Sequence, residues 1–240
     1  MNEENALSRR YIEVLEEIER TAQSAGRSRD EITLLVVTKG HPAAQIRSLY
    51  QLGARQIGEN RVAEALEKQS ILSDLTGFHW HMIGHIQSRK AIEVAGNFSL
   101  VHSLDSLKLA RRLDRFAADS GIVQEVLLEF NTSGEESKSG FSALDGVLKP
   151  EIEAAIEQIT ACNALRLRGL MTMAPYSPDP EDARPTFAAL RRLRDHLASR
   201  FPRADWSQLS MGMSGDYKTA IEEGATLLRI GTAIMGQIRI

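Results

Sequence analysis

Eight short apolar runs alternate with amphipathic segments along most of the chain, and this alternation limits the fold more than any other feature. The runs have the length and residue types of buried strands and lie at 33–38, 54–57, 79–83, 100–102, 123–130, 165–171, 208–211 and 227–230. The segments between them have the length of crossover helices and lie at 42–52, 60–72, 87–95, 106–120, 150–161, 181–200 and 215–223. Strands joined in this way form a parallel sheet with right-handed crossovers.

The number of strands predicts how the sheet is completed. Eight parallel strands in 240 residues favour a closed (β/α)₈ TIM barrel, preceded by an extra N-terminal helix over residues 6–25. A doubly wound open sheet is the alternative, but "VVTKGHP" after the first strand is not the GxGxxG turn of that fold. No linker or repeat divides the chain, so residues 1–240 are expected to form one domain.

Charge and composition exclude several classes of function. A net charge of -3 and a pI near 6.1 supply no basic field for nucleic acid. No segment reads as a signal peptide or membrane span, so we expect a cytoplasmic protein without a membrane partner. The single cysteine, Cys162, excludes an intramolecular disulfide. His79 and His81 are spaced to face one side of a strand but lack nearby carboxylates, so no metal is expected.

The first strand ends on a charge, Lys39, although the residues before it are apolar. Side chains at the carboxyl ends of barrel strands converge on one mouth, where active sites lie. A lysine held there would be partly desolvated, which favours the neutral amine and makes it a nucleophile towards aldehydes. The alternative is a lysine that reaches solvent from the strand end. Lys39 is therefore a candidate for Schiff-base chemistry.

The last two loops of the predicted barrel favour the Schiff-base interpretation. They read "SMGMSGDYKTA" and "RIGTAIMG", and loops at these two positions often bind phosphate in TIM barrels. Ser214, Gly231 and Thr232 supply the hydroxyl and backbone donors that a phosphate dianion needs, although either loop alone could be ordinary turn chemistry. A phosphate site opposite a Schiff-base lysine fits pyridoxal 5′-phosphate. Arg229 would face the pyridine nitrogen and keep it unprotonated, unless it forms a structural ion pair at the mouth.

Several long motifs, taken together, resemble those of the pyridoxal phosphate homeostasis protein family, also called the proline synthase co-transcribed homologue family. The motifs are "VVTKGHP", "IGENRVAEALEK", "HWHMIGHIQSRK", "EESKSGF", "LRLRGLMTM" and "LSMGMSGDYKTAIEEGATLLRIGTAIMG". The resemblance implies a barrel of the alanine racemase N-terminal type with pyridoxal phosphate on Lys39. It also implies that Ser214, Gly231 and Thr232 hold the phosphate and that Arg229 faces the pyridine nitrogen.

The resemblance extends to residues at the mouth and to a biological role. Asn60 of "GEN" and Lys138 of "SKSG" match conserved family positions near the mouth, and Asn60 is included in the cofactor site. The family is thought to carry or buffer the cofactor in vitamin B6 and amino-acid and keto-acid homeostasis, without established catalytic turnover. The implied partners are pyridoxal phosphate and recipient apo-enzymes, and a monomer is expected. His41 and Arg89 depart from the family pattern, which often has a second lysine and an asparagine there.

Two enzymatic functions are the alternatives to a carrier. A pyridoxal phosphate-dependent racemase or decarboxylase would need a second acid or base opposite Lys39. Related racemases take it from an added carboxyl-terminal domain, which this chain is expected to lack. Tyr176, in the loop after the sixth predicted strand, is the only tyrosine placed to act in that role. A cofactor-free Schiff-base aldolase is the other alternative, and it would be colourless as purified.

Overall fold

The eight predicted strands all form, each within two residues of its predicted ends. The structure is a computed structural model that describes residues 3–135, 139–143 and 147–237. Strands that form the barrel are β1 (Thr33–Val37), β2 (Gln56–Glu59), β3 (His79–Met82), β4 (Leu100–Leu104), β5 (Gln124–Asn131), β7 (Leu165–Met171), β8 (Gln208–Ser210) and β9 (Leu227–Ile230). A two-residue strand, β6 (Phe141–Ser142), pairs with β5 beside the barrel.

Pairing between the strands closes the sheet into an eight-stranded parallel barrel. The strand order is β4-β3-β2-β1-β9-β8-β7-β5, and β4 also pairs with β5. In that closing pair Val101 lies opposite Val126. The alternation of strands and helices therefore predicted the fold class correctly, and the chain has the TIM-barrel architecture. Closure directs the carboxyl ends of all eight strands to the same mouth.

Helices surround the barrel, as the amphipathic segments predicted. They are α1 (Glu3–Ser24), α2 (Ala43–Gln51), α3 (Val62–Ile71), α4 (Ala91–Val94), α5 (Leu107–Asp119), α6 (Pro150–Thr160), α7 (Arg184–Arg200), α8 (Tyr217–Glu222) and α9 (Thr232–Met235). The N-terminal helix α1 contacts α8 and α9, so it packs beside the last two strand-to-helix turns. Within the described residues, no helix combines the length and hydropathy that crossing a membrane requires.

The hydrophobic core has two parts, because successive side chains of each strand point alternately to the helices and to the barrel interior. Leu34 and Val36 of β1 join the large cluster between barrel and helices. A smaller cluster of Leu100, Leu127, Met171 and Leu227 takes one residue from each of four strands, which places it inside the barrel. Beside these four apolar residues, the barrel interior also holds buried polar side chains, among them His102 and Arg229.

Several short elements differ from the sequence prediction, and two of them are helical. Helix α9 begins at Thr232, directly after Gly231, and has only four residues. The segment predicted as one helix at 87–95 forms a 3₁₀ turn at Ser88–Lys90 followed by the four-residue α4. Elements of one turn are too short to produce a readable helical period.

Candidate functional site

One cavity of about 340 Å³ lies at the carboxyl ends of the strands. Its wall includes all six residues put forward for cofactor binding, which are Lys39, Asn60, Ser214, Arg229, Gly231 and Thr232. They come from the ends of β1 and β2, from the turn before α8, and from β9 with the turn that follows it. Barrel closure therefore brings together residues that lie up to 193 positions apart in the sequence (232 − 39).

Lys39 lies two residues beyond the end of β1. The Thr38 N–H still donates to the Gly58 carbonyl at 3.0 Å, which extends the strand pairing by one residue. Val37 and Lys39 both line the cavity, as the two-residue alternation of a strand requires, whereas Thr38 is buried on the other side. Lys39 itself is exposed. The expectation of a desolvated lysine is therefore wrong for this structure, because the side chain lies past the strand at an open mouth.

The turns after β8 and β9 are joined through Ser214. Its Oγ accepts a hydrogen bond from the Ala233 N–H at 3.1 Å, so the hydroxyl still has a hydrogen to donate towards the cavity it lines. A Cβ built on Gly215 would meet no atom within 4 Å, and one on Gly231 would meet Val37 at an ordinary 3.4 Å. Packing therefore does not require glycine at these two positions. Both glycines leave backbone exposed along the cavity wall.

Arg229 lies at the base of the cavity and is 4% exposed. Its Nη1 donates to Ser210 Oγ at 2.6 Å and its Nη2 donates to the Thr172 carbonyl at 2.8 Å. Burial lowers the pKa of Arg229 to about 10, against the opposing effect of the carboxylates of Asp216 and Glu129. The guanidinium therefore stays charged at neutral pH. Within the described residues, its hydrogen bonds go to neutral acceptors. Arg229 therefore does not form the structural ion pair that the sequence left open as an alternative.

A chain of hydrogen bonds runs from Arg229 through the barrel interior. Ser210 Oγ lies 2.8 Å from His102 Nδ1, His102 Nε2 lies 2.9 Å from His81 Nδ1, and His81 Nε2 lies 2.7 Å from Gln56 Oε1. The Gln56 amide oxygen only accepts, so His81 Nε2 donates to it. An uncharged His81 then accepts at Nδ1 from His102 Nε2, and an uncharged His102 accepts at Nδ1 from the Ser210 hydroxyl. Each histidine then carries its hydrogen on Nε2. All bonds of the chain consequently point from Arg229 towards Gln56, on the amino-terminal side of the barrel.

Burial keeps both histidines in this chain of hydrogen bonds uncharged. It lowers the pKa of His81 to about 3, with His79 as a smaller cause. It also lowers the pKa of His102 well below the ordinary value, with His81 and Arg229 adding to the effect. Hydrogen bonding inside the barrel is therefore the role of both histidines here. In the part of the chain that the structure describes, no three His, Cys, Asp or Glu side chains are grouped as a metal site would need.

Glu129 is a buried carboxyl group near Arg229 that the sequence analysis did not single out. It lies on β5 and is 3% exposed. Burial raises its pKa to about 7, the nearby Asp105 carboxylate adds to the rise, and Arg229 opposes it. Asp105 in turn pairs with His85, whose Nδ1 lies 2.9 Å from Asp105 Oδ2. A glutamate in an apolar run of sequence could have signalled this group, since unpaired buried carboxylates are rare.

The remaining candidates from the sequence lie in different places. Tyr176 lines the cavity but is 98% exposed. His41 hydrogen-bonds to Gln45 through Nδ1 at 3.1 Å, and Arg89 donates from Nε to Gln87 Oε1 at 3.0 Å. Neither residue is part of the cavity wall. Cys162 is half-buried two residues beyond the end of α6, and Lys138 lies outside the described residues.

Comparison with known proteins gives one family over nearly the whole chain. The family profile of the alanine racemase N-terminal domain matches residues 15–238. A protein of Aquifex aeolicus named pyridoxal phosphate homeostasis protein is 42% identical over 229 residues, which cover 95% of this chain and 96% of that protein. The Escherichia coli protein of the same name is 38% identical over 237 residues, which cover 97% of each.

Solved structures agree with these relatives. PipY of Synechococcus elongatus PCC7942, solved with PLP bound, is 36% identical and superposes with a TM-score of 0.78 over 91% of this chain and 99% of PipY. Alanine racemase of Clostridium difficile 630 superposes with a TM-score of 0.70 at 15% identity, over 92% of this chain and 56% of the racemase. At that identity the likeness is one of fold alone. The fold expected from the sequence is thus confirmed.

Proposed function

The chain belongs to the pyridoxal phosphate homeostasis protein family, and from that premise we propose that it binds pyridoxal 5′-phosphate as a Schiff base on Lys39. The observation that carries the proposal is the shared cavity wall of Lys39, Ser214, Arg229 and Thr232. An amine, two hydroxyls and a buried guanidinium match the aldehyde, the phosphate and the ring nitrogen of that molecule. The relative PipY, solved with PLP bound, supports the assignment.

Each residue of the site has a proposed task. Ser214 and Thr232 donate hydroxyl hydrogens to the phosphate, and Gly231 presents backbone to it. Arg229 donates to the pyridine nitrogen, whose lone pair must be free of a proton to accept this bond. The bound group supplies an electrophilic carbon that takes up primary amines, and Asn60 bounds the space beside Lys39.

We further propose that the protein carries or buffers the cofactor, in the cytoplasm and as a monomer, rather than turning over a substrate. Lys39 is exposed, and the cavity opens at the mouth of the barrel. A cofactor held there would remain within reach of incoming amines and of recipient apo-enzymes. The proposed consequence is a role in vitamin B6 and in amino-acid and keto-acid homeostasis.

A racemase or decarboxylase is the second candidate, because Tyr176 lines the same cavity as Lys39. Two-base racemisation needs an acid and a base within hydrogen-bond reach of the same carbon, on opposite faces. A side chain that is 98% exposed has no packing to hold it at such a distance. This geometry favours the carrier over the racemase.

The absorption spectrum of the purified protein tests the proposal directly. A Schiff base with pyridoxal phosphate gives a yellow band that disappears on borohydride reduction, with the label fixed to the peptide that contains Lys39. The Lys39→Ala variant should lack both the band and the fixed label. A wild-type protein that stays colourless after incubation with pyridoxal phosphate would overturn both pyridoxal functions and favour the aldolase.

A further inference from the structure

A buried lysine on α3 lies at the centre of an ionic cluster beneath the proposed Schiff-base site. Lys68 is 5% exposed, and its Nζ donates to Glu59 Oε1 at 2.7 Å, to Glu64 Oε1 at 2.7 Å and to the Thr38 carbonyl at 2.8 Å. These three bonds use all three hydrogens of the ammonium group. We call Lys68, Glu59 and Glu64 the Lys68 cluster.

The Lys68 cluster holds the backbone on both sides of Lys39. On one side, Thr38 accepts from Lys68 through its carbonyl and donates from Oγ1 to Glu59 Oε1 at 2.6 Å. On the other side, the Gly40 N–H donates to Glu64 Oε1 at 2.7 Å. Gly40 has a φ of 72°, a conformation that glycine adopts without strain. The two peptide units that flank Lys39 are therefore both tied to one rigid group.

Stability alone is a weak explanation for this arrangement. Two carboxyl groups share one ammonium, and burial raises the pKa of Glu59 against the opposing effects of Lys68 and Thr38. Glu59 Oε2 is also fully buried and, within the described residues, lacks a hydrogen-bond partner. Buried ion pairs often stabilise a fold less than apolar residues of the same volume would. What this cluster does supply is a fixed position for the segment that carries Lys39.

We propose that the Lys68 cluster is a positioning device that sets the direction from which the Lys39 amine meets the cofactor aldehyde. The inference rests on the function proposed above. The lysine nitrogen adds to the aldehyde carbon, a C=N bond forms, and the carbonyl oxygen leaves as water with two hydrogens from the amine. Lys39 has a long and exposed side chain that can adopt many conformations. Anchoring its backbone reduces the conformational entropy that must be lost before the amine can reach the aldehyde.

Glu64 offers the sharpest test, because α3 supplies a matched control. Glu64→Ala removes the acceptor of the Gly40 N–H and one of the three Lys68 bonds, and it leaves Lys68, Glu59 and Thr38 connected. Glu67→Ala on the same helix changes the charge equally at an exposed position. We expect Glu64→Ala to slow formation of the yellow Schiff base by about tenfold and Glu67→Ala to leave the rate unchanged. Glu64→Gln, whose amide oxygen can still accept from Gly40, should restore most of the rate.

A second ligand separates positioning from general damage. Pyridoxamine 5′-phosphate has the same phosphate and ring but no aldehyde, so its affinity should stay within about twofold in Glu64→Ala. An unchanged Schiff-base rate, or an equal loss for both ligands, would overturn the inference. The charge-balanced pair Glu59→Gln with Lys68→Met provides an independent variant if Glu64→Ala folds poorly. A wild-type chain that binds pyridoxamine phosphate but forms no Schiff base would instead refute the proposed function.

Discussion

Replacing Glu129 by glutamine should make the protein more stable, by an amount that grows with pH. Glu129 is 3% exposed, and within the described residues its carboxylate has no hydrogen-bond donor. Burial, with Asp105 as a second cause, raises its pKa from 4.5 to about 7. Glutamine has nearly the same shape and carries no charge, so the substitution isolates the ionisation.

The sign and size follow from proton linkage. Between pH 4.5 and about pH 7 the folded protein keeps the proton that the unfolded chain has lost, so stability falls as the pH rises. With these two pKa values, ionisation of Glu129 costs the folded state about 1.4 kcal/mol at pH 5.5 and about 3.3 kcal/mol at pH 8. The stability difference between Glu129→Gln and the wild type should therefore grow by about 2 kcal/mol from pH 5.5 to pH 8.

Urea unfolding of the cofactor-free protein measures this difference. Wild type and Glu129→Gln are compared at half-unit steps from pH 5.5 to pH 8, with fluorescence and circular dichroism as two probes of one transition. Glu67→Gln, at an exposed position, serves as the control and should follow the wild type at every pH. A stability difference between Glu129→Gln and wild type that stays constant over this range would refute the reasoning.

Four further predictions concern the site and the chain of hydrogen bonds behind it. Because burial lowers the pKa of His81 to about 3, its contribution to stability is complete above pH 6.5 and is lost below it. Between pH 6.5 and about pH 3, the free energy of unfolding of His81→Gln should therefore fall less steeply with acidification than that of the wild type, by about 1.4 kcal/mol per pH unit. Nitrogen NMR should find the ring hydrogen on Nε2 of both His81 and His102. A hydrogen on Nδ1 of either ring would contradict the direction assigned to the chain of hydrogen bonds. Thr232→Val should weaken binding of pyridoxamine phosphate by about tenfold in equilibrium dialysis, the loss typical of one hydrogen bond to a charged group, and an unchanged affinity would remove Thr232 from the phosphate site. Tyr176→Phe should leave the Schiff-base spectrum unchanged, and any proton exchange at the α-carbon of an amino acid that disappears in this variant would favour the racemase.

The fold and the position of the site could be predicted from the sequence because both depend on local patterns. A run of β-branched and aliphatic residues at 33–38 buries well only as a strand, and the turns that hold Ser214 and Gly231 carry their own signals. Given eight such strands, closure places all strand ends at one mouth. The six residues put forward for cofactor binding line one cavity for this reason.

The environment of each charged group depended on contacts that no local pattern records. Lys39 was expected to be desolvated and is exposed, because exposure depends on what the neighbouring loops cover. Lys68, by contrast, looks like an ordinary surface lysine on an amphipathic helix and is buried. Its carboxylate partner Glu59 ends β2, and the Thr38 carbonyl follows the end of β1.

The barrel interior shows the same division over longer distances. His102 and Ser210 are 108 positions apart and 2.8 Å from each other, and the direction of their hydrogen bond follows from the Gln56 amide oxygen that accepts from His81. The sequence by itself determined the strands, the mouth and the chemistry of the residues around it. Only the tertiary structure decided which polar groups are buried and paired, because the free energy of a buried charge depends on neighbours that closure of the barrel brings into contact.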